Sequence, residues 1–128
     1  MAGRILLVDD DPELRAIMNR LLCCGGYKVA EAQDGETALA LMETQAFDVV
    51  IADQALRGGL EGTALLGHHN RIAPHKGRIL LTGHVSEQLV KICRAIRALY
   101  LAKPCTFEQL KAKIEAFSLG AHRRRCAT

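Results

Sequence analysis

Five short apolar runs, each followed by a stretch with helical spacing, constrain this chain more than any other feature. Ile5-Leu6-Leu7-Val8 is unbroken and apolar, the pattern of a strand buried on both faces. Asp11 and Pro12 then fit an N-cap and a first helical position. Leu14, Ile17, Met18, Leu21 and Leu22 recur on one helix face, and Gly25-Gly26 ends that helix. Residues 27–32 alternate in polarity and suit an edge strand, and Asp34-Gly35 makes a turn. Ala38, Leu41, Met42 and Gln45 outline a second, weaker helix face.

The pattern repeats downstream. Residues 47–52 form a third strand ending at Asp53, followed by a loop at Arg57-Gly58-Gly59 and a short helix over 61–69, with Pro74 preventing a longer one. Ile79-Leu80-Leu81 is a fourth strand ending at Thr82, and residues 86–97 form a helix carrying Leu89, Ile92, Cys93 and Ile96 on one face. Tyr100-Leu101-Ala102 is a fifth strand ending at Lys103-Pro104. Thr106 to Gln109 fits a capping box for a last helix carrying Leu110, Ile114 and Phe117, with Gly120 closing it. Five consecutive β-then-α units predict an α/β fold, a doubly wound parallel sheet with helices on both faces.

Composition narrows the function. The 128 residues fit one domain, and 49% hydrophobic with 24% charged residues is an ordinary globular balance. No apolar run is long enough for a membrane span or a secretory leader. The five cysteines form no CxxC pair, so they predict reduced thiols in a cytoplasmic protein and no zinc site. The net charge of +3 comes from Arg123, Arg124 and Arg125, and Trp is absent. A neutral body with a short basic tail and few aromatics argues against nucleic-acid binding.

Four of the five apolar runs stop at a polar side chain: Asp9-Asp10-Asp11, Asp53, Thr82 and Lys103. In a parallel sheet these strand ends share one edge, and ligands of open α/β sheets bind outside it. Clustered carboxylates either rise in pKa or bind a cation, and oxygen-only ligands suit Mg²⁺, which leaves positions for phosphate oxygens. A hydroxyl at Thr82 and an ammonium at Lys103 stabilise an incoming phosphoryl group. Asp53 stands alone at its strand end, placed to act as a nucleophile and become an acyl phosphate.

These motifs together, Ile5 to Pro12, Phe47 to Asp53, Leu81-Thr82 and Tyr100 to Pro104, resemble the receiver domain of two-component response regulators, over residues 3–118. The resemblance implies a flavodoxin-like five-stranded sheet of order 2-1-3-4-5 and a stand-alone single-domain regulator, while the residues themselves predict a basic, flexible tail at 119–128. It implies that Asp53 is the phosphoacceptor. Mg²⁺ would be held by Asp10 directly, Asp9 partly through water, Asp53, and the backbone carbonyl of Ala55. Thr82, Gly83 and Lys103 would bind the phosphoryl oxygens, with Thr82 and Tyr100 as the switch pair and a cis Lys103-Pro104 bond. His84 is a further residue placed to line the site. The implied function is a signalling phosphoacceptor that assists its own phosphorylation and dephosphorylation, and is not otherwise an enzyme. Its partners would be a histidine kinase or phosphotransfer protein and a downstream target at the face of the fourth helix, fifth strand and fifth helix. The resemblance also leaves room for a phosphorylation-dependent dimer.

The chain departs from the family pattern in three places. Arg57 stands where proline is usual, in a loop one residue longer than usual before Gly62, which bears on the Ala55 carbonyl. Gly83 replaces a common alanine, and the Ala95–Leu99 segment lacks the usual Gly-Ala-Asp. Two rival readings use the same residues. Asp9-x-Asp11 after an apolar strand mimics the nucleophile motif of a haloacid-dehalogenase-like phosphatase, which however also needs an acidic pair after the lysine strand. A receiver-like binding module without phosphorylation is the other. FMN binding would want a Ser/Thr/Gly-rich loop after the first strand. Asp11 alone reads as a helix cap, His68, His69 and His75 as residues of a polar helix and loop, and Cys23, Cys24 and Cys93 as small core residues.

Overall fold

The computed structural model describes the backbone of residues 3–127 and the side chains of residues 3–117. Strands and helices alternate throughout: β1 (Arg4–Val8), α1 (Pro12–Cys24), β2 (Lys28–Ala32), α2 (Gly35–Thr44), β3 (Val49–Asp53), α3 (Gly62–Ile72), β4 (Gly77–Thr82), α4 (Glu87–Ala95), β5 (Leu99–Ala102) and α5 (Phe107–Ala127). All strand pairs are parallel, in the order β2-β1-β3-β4-β5. The expected doubly wound sheet and its order are therefore both present.

Side-chain alternation along the strands separates two cores. Leu6, Val8, Val50, Ala52 and Leu80 face Ala38 and Met42 of α2, Leu65 and Leu66 of α3, and Leu89 and Cys93 of α4. Ile5, Leu7, Val49, Ile51, Ile79 and Leu81 face Met18 and Leu22 of α1 and Leu110 and Ile114 of α5. Every residue of β3 and β4 is buried, the apolar stretches as expected for strands covered on both faces and Arg78, Asp53 and Thr82 along with them. The edge strand β2 shows the mixed burial expected of it.

Side-chain caps start four of the helices: Asp11 and the Thr106–Gln109 box as the sequence predicts, Asp34 where the sequence suggests a turn, and Ser86 just before the helix rather than as its first residue. Asp11 accepts from the amides of Glu13 and Leu14, Asp34 from Thr37, and Ser86 from Leu89. Thr106 and Gln109 form the reciprocal capping box.

The α1 face is narrower than its sequence suggests. Met18 and Leu22 reach the sheet, whereas Leu14, Ile17 and Leu21 are exposed. The apolar stripe is wider than the contact a single helix makes on a flat sheet, so one edge of it faces solvent. Cys23 and Cys24, at the solvent end of α1, are exposed rather than core, while Cys93 is buried as expected. Gln45 lies just past α2 as its C-cap. α5 continues through Gly120 to Ala127, because glycine inside a helix costs only about 1 kcal/mol and does not forbid it. The side chains of the expected basic tail at 119–128 lie outside those described.

At the opposite end of the sheet from the strand C-termini, Arg78 is almost fully buried. Its Nε donates to the carbonyl of Ile96 at 2.9 Å, and its Nη groups donate to the carbonyls of Ala73 at 3.0 Å and Pro74 at 3.2 Å. One guanidinium thus caps the C-terminal ends of α3 and α4, where backbone carbonyls favour a cation. It also lies 3.1 Å from Nδ1 of His69. A guanidinium only donates, so Nδ1 is the acceptor and Nε2 carries the proton of the neutral ring. His69 is therefore a core residue rather than part of a polar surface helix.

Candidate functional site

The C-terminal ends of β1, β3, β4 and β5 converge on one acidic notch. Carboxylate oxygens of Asp9, Asp10 and Asp53 all lie within 4.8 Å of one another. Nζ of Lys103 donates to Oδ2 of Asp53, joining the end of β5 to the end of β3. The Lys103 amide donates to the Thr82 carbonyl at 2.7 Å, so the end of β4 lies beside them. Residues scattered along the chain meet because each terminates a parallel strand.

Each acid has a different environment. Asp9 is 1% exposed. Its Oδ1 accepts from the Asp11 amide at 2.9 Å, and its Oδ2 is buried without a partner. Burial raises the Asp9 pKa, the bond from Asp11 opposes the rise, and the neighbouring Asp53 adds to it. Asp10 is more open, and Nε of Arg57 lies 3.6 Å from its Oδ2. Asp53 is buried, with Oδ1 accepting from the Ala55 amide at 3.3 Å and Oδ2 from Lys103. Burial works against the Lys103 ammonium, but its hydrogen bond to Asp53 and the charges of Asp53, Asp9 and Asp10 hold its pKa above the ordinary value.

Thr82 is buried at the strand end, yet its hydroxyl is engaged by its own loop. Oγ1 donates to the His84 carbonyl at 2.9 Å and accepts from the His84 amide at 3.2 Å. A Cβ on Gly83 would meet nothing within 4 Å, so the space beside Thr82 is open. Tyr100 lies on β5 with its ring partly exposed, and the His84 side chain is exposed. The Lys103-Pro104 peptide is cis, as the resemblance implies. Burial pushes the Cys105 thiol pKa up, against the opposing pull of Lys103, which gives no sign of an activated thiolate.

Four further residues, none of them assigned a site role from the sequence, build the site. Gly62 opens α3 so close to β3 that a Cβ there would stand 2.4 Å from the Asp53 carbonyl oxygen. Gln54 accepts from the Thr63 amide at 2.9 Å and caps α3, whereas the N-cap residue Glu61 makes no side-chain cap bond. Nη1 of Arg15 donates to the Asp9 carbonyl at 2.6 Å while its Nε pairs with Glu31 on β2 at 2.9 Å, bracing the loop that carries Asp9. Arg57 supplies a second cation to the notch. Gly62 and Arg57 stood out in the sequence as a loop-to-helix glycine and a departure from the usual proline, but the Arg57–Asp10 contact, like those of Gln54 and Arg15, is tertiary.

The donor set fits a hard divalent cation. It offers oxygen ligands only, and one carboxylate oxygen is buried with no hydrogen-bond partner. Asp11 spends its carboxylate on the α1 cap and does not join the cluster, which removes the second acid of a dehalogenase-type motif.

The family model for the response regulator receiver domain matches residues 5–115. The response regulator protein FleR of Pseudomonas aeruginosa is 32% identical over 121 residues, which cover 94% of this chain and 25% of FleR. The alginate biosynthesis transcriptional regulatory protein AlgB of Pseudomonas syringae is 36% identical over 85% of this chain and 24% of its own length. The chain thus spans about a quarter of the length of these curated relatives. Among solved structures, a CheY-like receiver domain protein from Methanospirillum hungatei superposes with a TM-score of 0.82 at 28% identity, over 94% of this chain and 99% of that one. The response regulator TrrA of Thermotoga maritima, solved in complex with Mg²⁺-BeF, gives 0.79 at 30% identity, over 91% of this chain and 99% of that one. Matched over nearly its whole length by family, relatives and fold, the chain belongs to the response regulator receiver domain family.

Proposed function

We propose that this domain is a phosphoacceptor switch of a two-component phosphorelay, with Asp53 as the acceptor. The observation that carries the reading is the position of Asp53: a buried carboxylate bonded to the Lys103 ammonium and within 4.8 Å of the Asp9 and Asp10 oxygens. A phosphohistidine of a histidine kinase or phosphotransfer protein is the donor. A carboxylate oxygen of Asp53 attacks phosphorus, the P–N bond breaks, and its electron pair returns to the imidazole ring nitrogen. Lys103 neutralises charge on the equatorial phosphoryl oxygens, and the Gly83 backbone leaves room for them.

Asp9, Asp10, Asp53 and the Ala55 carbonyl would hold Mg²⁺, which supplies neutralising charge to the acids and the phosphoryl group when bound. Thr82 exchanges its bond to the His84 carbonyl for one to a phosphoryl oxygen, and Tyr100 turns inward from its exposed position. The surface of α4, β5 and α5 then presents a different face to a downstream protein or to a second copy. That shift requires the phosphorylated site to favour one conformation over the other. His84, held against Thr82 through its backbone, lines the route to the acyl phosphate and influences its lifetime.

Beryllofluoride with Mg²⁺ mimics the acyl phosphate and tests this reading by NMR. The largest amide shifts are expected at Asp53, Thr82 and Lys103, with a second group at Tyr100. Unchanged spectra, or shifts centred elsewhere, would contradict the assignment.

A further inference from the structure

We infer that Arg57 is a built-in counter-ion of the acidic notch, occupying Asp10 when the metal is absent and competing with a divalent cation for it. The inference rests on the proposed role of Asp10 as a metal ligand. Three carboxylates meet in the notch, and among the described residues two side-chain cations reach them: Lys103 on Asp53, and Arg57 with Nε 3.6 Å from Oδ2 of Asp10. The two cations differ in kind. Lys103 hydrogen-bonds the buried acceptor from the end of β5. The Arg57 side chain is 85% exposed, at the tip of a loop whose flanking Leu56 and Leu60 pack on the core. The two residues after it, Gly58 and Gly59, have φ of 89° and 85°, and a Cβ on either would meet nothing within 4 Å.

A cation entering the notch draws on the Asp10 carboxylate that Arg57 pairs with and repels the guanidinium, so the two compete for it. Departure of the guanidinium costs little, because an exposed ion pair is weak and screened by salt. The arrangement therefore lowers metal affinity modestly without blocking the site, and it sets the metal concentration at which the notch becomes competent for phosphoryl transfer.

The test is calorimetric titration of Mg²⁺ into the wild-type chain, Arg57→Gln and Arg57→Lys, with the Arg57 Nε–H resonance followed by NMR. The Gln variant is expected to bind Mg²⁺ about two- to fivefold tighter at low ionic strength, the range of an exposed pair, and the gap should close at high salt. Arg57→Lys should stay near wild type. The Nε–H resonance should move with the same midpoint as the Asp10 amide. Equal or weaker binding by Arg57→Gln overturns the inference and leaves the metal site standing. So does a gap with a stationary Nε–H signal, which would reveal a distant field effect rather than a displaced contact. If the wild-type chain binds no Mg²⁺ at Asp10, the metal-site reading falls and this inference with it.

Discussion

Lys103 and Asp53 lie 50 residues apart in sequence and are joined side chain to side chain, Nζ to Oδ2, across the ends of β5 and β3. Asp53 is far less exposed than Lys103, so the ammonium is the carboxylate's main compensation on that side. In the proposed reaction the same ammonium faces the phosphoryl oxygens. Lys103→Met is therefore expected to slow phosphorylation by acetyl phosphate about a hundredfold, the scale of losing one preorganised electrostatic partner. Time-resolved intact-mass measurement reads the rate, and a variant as fast as wild type would remove Lys103 from the chemistry.

Metal binding should appear as stability. Asp9 keeps a buried oxygen without a partner beside two other carboxylates, so a ligand cation relieves repulsion present only in the folded chain. At Mg²⁺ concentrations about a hundredfold above Kd, unfolding free energy should rise by about 2.7 kcal/mol. Denaturant melts with and without Mg²⁺ check this, and Asp10→Ala should abolish the gain.

Two glycines beside the site predict opposite outcomes. Gly62→Ala would place a methyl 2.4 Å from the Asp53 carbonyl oxygen and 2.8 Å from Cδ1 of Leu80, so backbone must move. A loss of about 1–3 kcal/mol is expected, as for other overpacked sites. Gly83→Ala meets nothing within 4 Å and should change stability by less than about 0.5 kcal/mol. Urea unfolding of both variants decides it.

His69 makes the fold sensitive to acid. Burial and then the adjacent Arg78 lower its pKa from 6.5 to about 4, with His68 and Lys76 adding to the effect. Between those values the unfolded chain binds a proton that the folded chain refuses, so stability falls as pH drops through that window. The full loss is roughly 3 kcal/mol. His69→Gln keeps an acceptor for Arg78 and cannot titrate, so its stability should be flatter between pH 6.5 and 4. Parallel slopes in the two chains would show that other groups dominate.

The strands and the polar residues at their ends, which the fold brings together, were legible in the sequence because one rule governs both. An apolar run gives way to polar residues where its strand ends at the sheet edge that faces the notch, and Asp53, Thr82 and Lys103 stand at or just past those ends. The cap at Asp11 and the box at Thr106–Gln109 were legible because they act within three residues of themselves, while the caps at Asp34 and Ser86 showed only as a turn and a helix start. The α1 stripe was misread because periodicity reports an apolar face and not how much of it a neighbour covers, which left Leu14, Ile17 and Leu21 exposed. Strand order came from family resemblance rather than from spacing. The Arg78 staple, the Arg15 brace and the Arg57–Asp10 pair join elements whose approach depends on the completed sheet, so no local pattern announces them.

The central claim is that Asp53 carries the phosphoryl group. Intact-mass measurement after incubation with acetyl phosphate and Mg²⁺ tests it most directly. The wild-type chain should gain a single phosphoryl group that is lost on standing, and Asp53→Asn should gain none. An unmodified wild-type chain, or equal labelling of the Asn variant, would contradict the account.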